Sequence, residues 1–159
     1  LKNGSAQTTE KIIGSLVNVS GHTFDMRYDL FFTTERVIAV IIQHPLDNPL
    51  GAKSFWKSAL LGDILSGQGK KLEQIKTSQK RRRSLQGMTP DELVSTNPRN
   101  FAIPYEEIAS AEVTHRFFQW QLRFHLVGPS DKEGVVRFNL SKKQVTEAER
   151  LLEQTSLSK

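Results

Sequence analysis

The sequence predicts a mainly β fold with added α structure: a seven-stranded antiparallel barrel or sandwich, plugged by a C-terminal helix and interrupted by a helical insertion. Three observations predict it. Short apolar or alternating segments recur on both flanks of the chain. A capped segment with one narrow apolar stripe closes it. Between the flanks lies a basic stretch poor in apolar residues.

On the first flank, Lys11–Val19 is a short run with β-branched residues, ended by Ser20-Gly21. Met26, Tyr28, Leu30 and Phe32 alternate with Arg27, Asp29, Phe31 and Thr33, and a period of two places the first set on one face of a strand. Thr34-Glu35 makes a tight connection. Val37–Ile42 is apolar at every position, which predicts a central strand covered on both faces.

On the second flank, Phe101–Ile103 is a brief strand stopped by Pro104. Ala109, Ala111 and Val113 alternate with Ser110, Glu112 and Thr114. Trp120, Leu122, Phe124 and Leu126 form the inward set of the next strand, and Val136, Phe138 and Leu140 that of the last. A hairpin turns near Phe117–Gln119. Ser141 and Gln144 have the S-x-x-Q spacing of a capping box, and Val145, Ala148, Leu151 and Leu152 then share one helical face. A helix with one stripe to bury and a barrel with an open apolar end satisfy each other, so the helix is expected to plug the barrel.

The insertion spans about residues 45–99. Between His44 and Asn100 there are ten Lys or Arg and five Asp or Glu, so the whole formal charge of +5 falls in this segment. A first helix from Ser54 to about Leu65 presents Phe55, Trp56, Leu60 and Ile64, candidate contacts for a partner or a membrane interface. A second stretch, Lys70–Leu85, carries Lys70, Lys71, Lys80, Arg81, Arg82 and Arg83 as candidates for anion binding. It has no aromatic residue to stack on bases, which makes nucleic acid the weaker alternative. Thr89-Pro90-Asp91-Glu92 is a capped helix start anchored by Leu93 and Val94. Replacing Lys53–Gln86 by a flexible linker is expected to leave a folded barrel, because loop closure grows slowly with length.

Composition excludes several classes. No apolar run approaches the roughly 18 residues of a membrane-crossing helix. With no cysteine, the chain has no disulfide framework, thiolate nucleophile or Cys-ligated zinc. The four histidines lack ligand spacing, Glu106 and Glu107 would point apart in an extended strand, and no glycine-rich phosphate loop appears. No catalytic residue, metal or cofactor is therefore expected, and the chain reads as a non-enzyme. Outward-facing Arg27, Arg116, Arg123 and Arg137 alternate with Asp29 and Glu112, and cross-strand ion pairs are the preferred account of them over an anion site.

Two local words resemble a known family. Tyr28-Asp29-Leu30-Phe31-Phe32-Thr33-Thr34-Glu35-Arg36-Val37-Ile38 looks like the strand–turn–strand signature of bacterial pleckstrin-homology-like and GRAM-like domains. Ile103-Pro104-Tyr105-Glu106-Glu107-Ile108 resembles their "IPY-x-x-I" segment. The resemblance covers about 100 residues, both flanks without the middle. It implies a seven-stranded shell with a plugging helix, here as a single domain over residues 10–159 behind a disordered segment at 1–9. The first hairpin loop, Ser20–Asp25, lacks the Lys and Arg that phosphoinositide-binding members keep there. The combined expectation is a non-catalytic interaction module, cytoplasmic and peripheral to the membrane. It would dock on a protein partner or an anionic membrane surface, self-association being a further possibility. Nucleic-acid binding through the basic insertion and an enzyme with an unadvertised pocket are the alternatives.

Overall fold

Period-two alternation on both flanks becomes one seven-stranded antiparallel sheet in the computed structural model, which describes residues 9–21, 26–44, 76, 79–128, 134–155 and 157. The strands are β1 (Ile12–Ser20), β2 (Arg27–Thr33), β3 (Arg36–Gln43), β4 (Phe101–Pro104), β5 (Ile108–Arg116), β6 (Gln119–Leu126) and β7 (Gly134–Leu140). Their order across the sheet is β4-β3-β2-β1-β7-β6-β5. The fold is mainly β with α. The sheet is open, with β4 and β5 as its ends, so the expected barrel is not closed by hydrogen bonds.

The sheet consists of a four-stranded and a three-stranded half joined at one corner. Only Ser20 and Asn139 pair between β1 and β7. The inner faces of both halves share one core. Leu30 and Phe32 of β2 and Val37 of β3 belong to it, with Leu122 and Phe124 of β6 and Phe138 of β7. Tyr28 and Phe138 meet edge to face at 5.8 Å, and Phe124 and Phe138 at 6.4 Å.

Helix α2 (Lys142–Gln154) covers this core. Ala148, Leu151 and Leu152 are buried as the stripe predicts, while Val145 lies at its half-buried margin. Gln144 Oε1 accepts the Ser141 N–H at 2.8 Å, so the glutamine half of the capping box is in place. The helix approaches β1 closely: a Cβ added at Gly14 would lie 2.6 Å from Leu151 Cδ2. Glycine at that position lets the leucine seat directly on the strand backbone.

The outer face of β2–β3 is also covered, by the returning end of the insertion. Residues 79–84 are helical, and helix α1 (Pro90–Ser95) follows. Leu85 and Leu93 pack on Ile38 and Val40 of β3, so β3 is buried on both faces as its continuous apolar run predicts. Thr89 caps α1 by the expected box, its Oγ1 accepting the Glu92 N–H while Glu92 accepts the Thr89 N–H. Buried Asn100 fastens α1 to the sheet: its Oδ1 accepts the Ile41 N–H at 2.8 Å, and its Nδ2 donates to Leu93 O.

Two local expectations change. Ala109 does not share a face with Ala111 and Val113. The pairing Ile108–Leu126 steps directly to Ser110–His125, so Ala109 is the extra residue of a bulge and is exposed. Asp29 is not part of an exposed cross-strand ion pair. It is buried, its carboxylate accepting two hydrogen bonds from Arg82 at 2.8 and 3.0 Å and one from the Asn18 N–H at 2.8 Å. Removing Lys53–Gln86 would take away both Arg82 and Leu85, and with them part of the cover of β2–β3.

Two predictions follow from this packing. Leu152→Ala should destabilise the fold by about 2–5 kcal/mol, read from the urea midpoint, because it opens a cavity under α2. An unchanged midpoint would show that the helix is not part of the core. Arg82→Met should cost about 3 kcal/mol, the low end for a broken buried pair because the guanidinium is partly solvated. The double variant Asp29→Asn/Arg82→Met should be less destabilised than Arg82→Met alone, since it no longer buries a lone carboxylate. Strict additivity of the two changes would reject the pairing as a stabilising element.

Candidate functional site

The β5–β6 hairpin ends in a two-residue turn. Its cross-strand partners are Arg116 with Gln119 and His115 with Trp120, which leaves Phe117 and Phe118 as the loop. Both have positive φ, 49° and 66°, the left-handed pair of a type I′ turn. That turn suits the twist of the strands, but the residues that adopt it readily are Asn, Asp and Gly. A left-handed backbone costs an ordinary L-residue roughly 1–2 kcal/mol. Nothing in the protein repays the two phenyl rings with burial, for Phe117 is 93% exposed and Phe118 100%.

Beside this tip lies a cleft of about 270 Å³ on the outer face of the three-stranded half. Arg116, Phe117, Gln119 and Gln121 line it from the hairpin, Arg137 and Asn139 from β7, and Gly21 from the end of β1. The corner pairing of Ser20 with Asn139 brings Gly21 there. A Cβ on Gly21 would lie 2.5 Å from a Tyr28 ring carbon, so glycine is the residue that lets the backbone pass this close to the ring. The chain leaves β7 at Leu140, opposite Trp120, and enters α2 through exposed Lys142 and Lys143. Arg116, Lys142 and Lys143 therefore lie toward the end of the hairpin that carries the two phenylalanines, and Arg137 lies further along the same cleft.

The ion pairs expected for the outward arginines are only partly present. Arg123 lies opposite Glu112 and pairs with it at 3.7 Å. Arg137 lies opposite Arg123, cation facing cation. Among the described residues, neither Arg116 nor Arg137 has a carboxylate partner. Arg123 Nε is buried without a hydrogen bond. His125 lies 3.3 Å from Glu112, and the two histidines of this hairpin, His115 and His125, are not opposite each other.

A second concavity of about 660 Å³ has the opposite character. Arg36 bridges Glu10 and Asp91 at its floor, and Tyr105 donates its hydroxyl to Thr33 O. The two carboxylates hold the Arg36 guanidinium well above its ordinary pKa, and burial pushes the Tyr105 phenol up. Glu10 and Asp91 satisfy Arg36, and Glu35 and Glu106 also line it, so its surplus charge is acidic.

The residues singled out in the insertion are distributed unevenly. Phe55, Trp56, Leu60, Ile64, Lys70 and Lys71 lie outside the described residues. Of the densest basic run, Lys80 and Arg83 are exposed, whereas Arg82 is committed to Asp29 and Arg81 donates to Ile42 O at 3.1 Å. Sequence reasoning did not mark Phe117 and Phe118 as a site. The available signal was two large apolar residues at the point where alternation breaks between two strands. Among the described residues, no group of three or more His, Asp or Glu side chains is arranged to hold a metal ion, and no helix is long and apolar enough to cross a membrane. Compared with known proteins, the chain matches no family model, no curated protein and no solved structure.

Proposed function

We propose that the chain is a non-catalytic, pleckstrin-homology-like interaction module that docks on an anionic membrane surface through the tip of the β5–β6 hairpin. The observation that carries this reading is the pair Phe117-Phe118, fully presented to solvent on a backbone that phenylalanine does not favour. Strained residues persist where they serve something other than stability. Each ring gives about 1.5–3 kcal/mol on full burial in an apolar phase. Arg116 and Arg137 line the cleft beside the tip, exposed Lys142 and Lys143 follow Leu140 at the rung next to the turn, and a basic residue at an anionic leaflet adds about 1 kcal/mol. Rings that dip below the headgroups and cations that stay among them form a reversible, peripheral anchor.

The split of the sheet into four and three strands, with a terminal helix over the shared core, supports the family likeness drawn from the sequence words. Charge complementarity favours the membrane over a neutral protein partner. The rival route through Lys80–Arg83 has less support, because Arg81 and Arg82 of that run are engaged by the sheet.

Phe117→Asn/Phe118→Gly tests the reading in two directions. The variant should lose co-sedimentation with vesicles of phosphatidylcholine and phosphatidylserine. Its urea midpoint should rise, by about 1–2 kcal/mol of relieved backbone strain. Unchanged vesicle binding would place docking elsewhere. Failure of the parent protein to bind these vesicles would turn the reading toward a protein partner.

A further inference from the structure

We propose that the cleft beside the hairpin tip is a binding site for a phosphate monoester, with Arg116 and Arg137 as its two cationic arms. The inference rests on the docking reading and assigns it a headgroup chemistry. Its ground is the donor inventory. Arg116, Gln119 and Gln121 face the cleft from β5 and β6, and Arg137 and Asn139 from β7. Among the described residues, no Asp or Glu lines it. Each guanidinium offers five N–H donors in a planar fork that matches two phosphate oxygens. Both are without a carboxylate partner among the described residues, so an arriving anion competes with none of those.

The register adds a second, independent argument. Arg137 stands directly opposite Arg123 across the β6–β7 ladder. Like charges in that relation are destabilising. Glu112 lies on the far side of Arg123 and compensates that arginine only. The positive field on the β7 side is left over, and it opens into the cleft. A dianion seated between Arg137 and Arg116 would balance it.

The ligand chemistry follows from the shape of the donor set. Two separated guanidinium groups and side-chain amides suit a compact anion with several equivalent oxygens, which a phosphate monoester has and a single carboxylate lacks. Phe117 forms one wall of the cleft as well as half of the apolar tip. An anion held there sits at the boundary between apolar and polar layers, the depth at which a lipid carries its phosphate. The same chemistry is offered by a soluble phosphate ester, and the two sources are separable by experiment.

The probes are inorganic phosphate in solution and phosphatidylcholine vesicles doped with either phosphatidic acid or phosphatidylserine at matched surface charge. Titration of the intact chain with phosphate should move the arginine Nε–H resonances of Arg116 and Arg137 and leave those of Arg82 and Arg99 in place. Vesicles with phosphatidic acid should bind better than those with phosphatidylserine. Arg116→Gln/Arg137→Gln should abolish the resonance shifts and that preference, and lower binding to phosphatidic acid vesicles about tenfold, the scale of one or two charge-assisted hydrogen bonds. Lys80→Gln/Arg83→Gln should change neither. Equal binding to the two lipids, unaltered in the arginine variant, would overturn the cleft while leaving membrane docking through the phenylalanines standing. Phosphate shifts at Arg116 and Arg137 with no vesicle binding would keep the cleft as a site for a soluble phosphate ester and remove the membrane reading. Shifts confined to other residues would overturn the cleft outright.

Discussion

The fold turns on an irregularity in β1. Between Leu16 and Val19 the ladder with β2 loses register, and Asn18 takes a left-handed backbone with φ of 57°. This break redirects the end of β1, so that Ser20 pairs with Asn139 of the other half. The bulge is held from two sides. Its Asn18 N–H donates to the buried Asp29 carboxylate, which also receives Arg82. Its Val17 carbonyl accepts from Gln144 Nε2, and Gln144 Oε1 accepts from Ser141 N–H at the start of α2. One chain of polar contacts thus joins the end of the insertion, β2, β1 and the terminal helix. The Asp29 carboxylate at its centre is buried and would be costly alone, which ties β1, β2 and the end of the insertion together.

This arrangement also places the candidate site. The corner that the bulge creates is the only ladder contact between β1 and β7, and it forms one rim of the basic cleft. Stability elements and presentation elements are therefore adjacent without being shared. Arg82 and Gln144 are consumed by the bulge, whereas Arg116 and Arg137 form no ion pair among the described residues. A charged residue's neighbours in space, not the density of charge around it in the sequence, separate the two groups.

That difference accounts for what was legible in the sequence. The strands were, because half-burial imposes a period of two, and Tyr28, Leu30 and Phe32 or Leu122 and Phe124 display it. The terminal helix was, because Ser141, Gln144 and the Ala148–Leu152 stripe are local signals. Asp29 was misread because period two only says which face it occupies, not that Leu85 and Leu93 would cover that face. Its partner Arg82 is 53 positions away, inside a run that looks uniformly solvated. Ala109 was misread because a small apolar residue fits either side of a bulge. The turn near Phe117 was legible but its strain was not, because the turn type is dictated by strand register, and two phenylalanines give no hint of a left-handed backbone. The cleft drew residues from three strands, and its arginines were matched to carboxylates that the fold had already engaged or placed elsewhere.

The open sheet has one more consequence. Among the described residues, an unclosed ladder leaves two rims, β4 and β5, each a template on which a second molecule could add its own strand. Both rims are poor templates. The β4 rim is four residues long and ends in a proline, which offers no N–H. The β5 rim is bent by the Ala109 bulge and carries exposed Glu112, His115 and Arg116 beyond it. Aggregation by strand addition needs a long, flat, uncharged rim, and neither supplies one. The protein can therefore hold two bare phenylalanines in solution at the end of β5 without an adjoining sticky strand to convert a transient touch into a growing fibril.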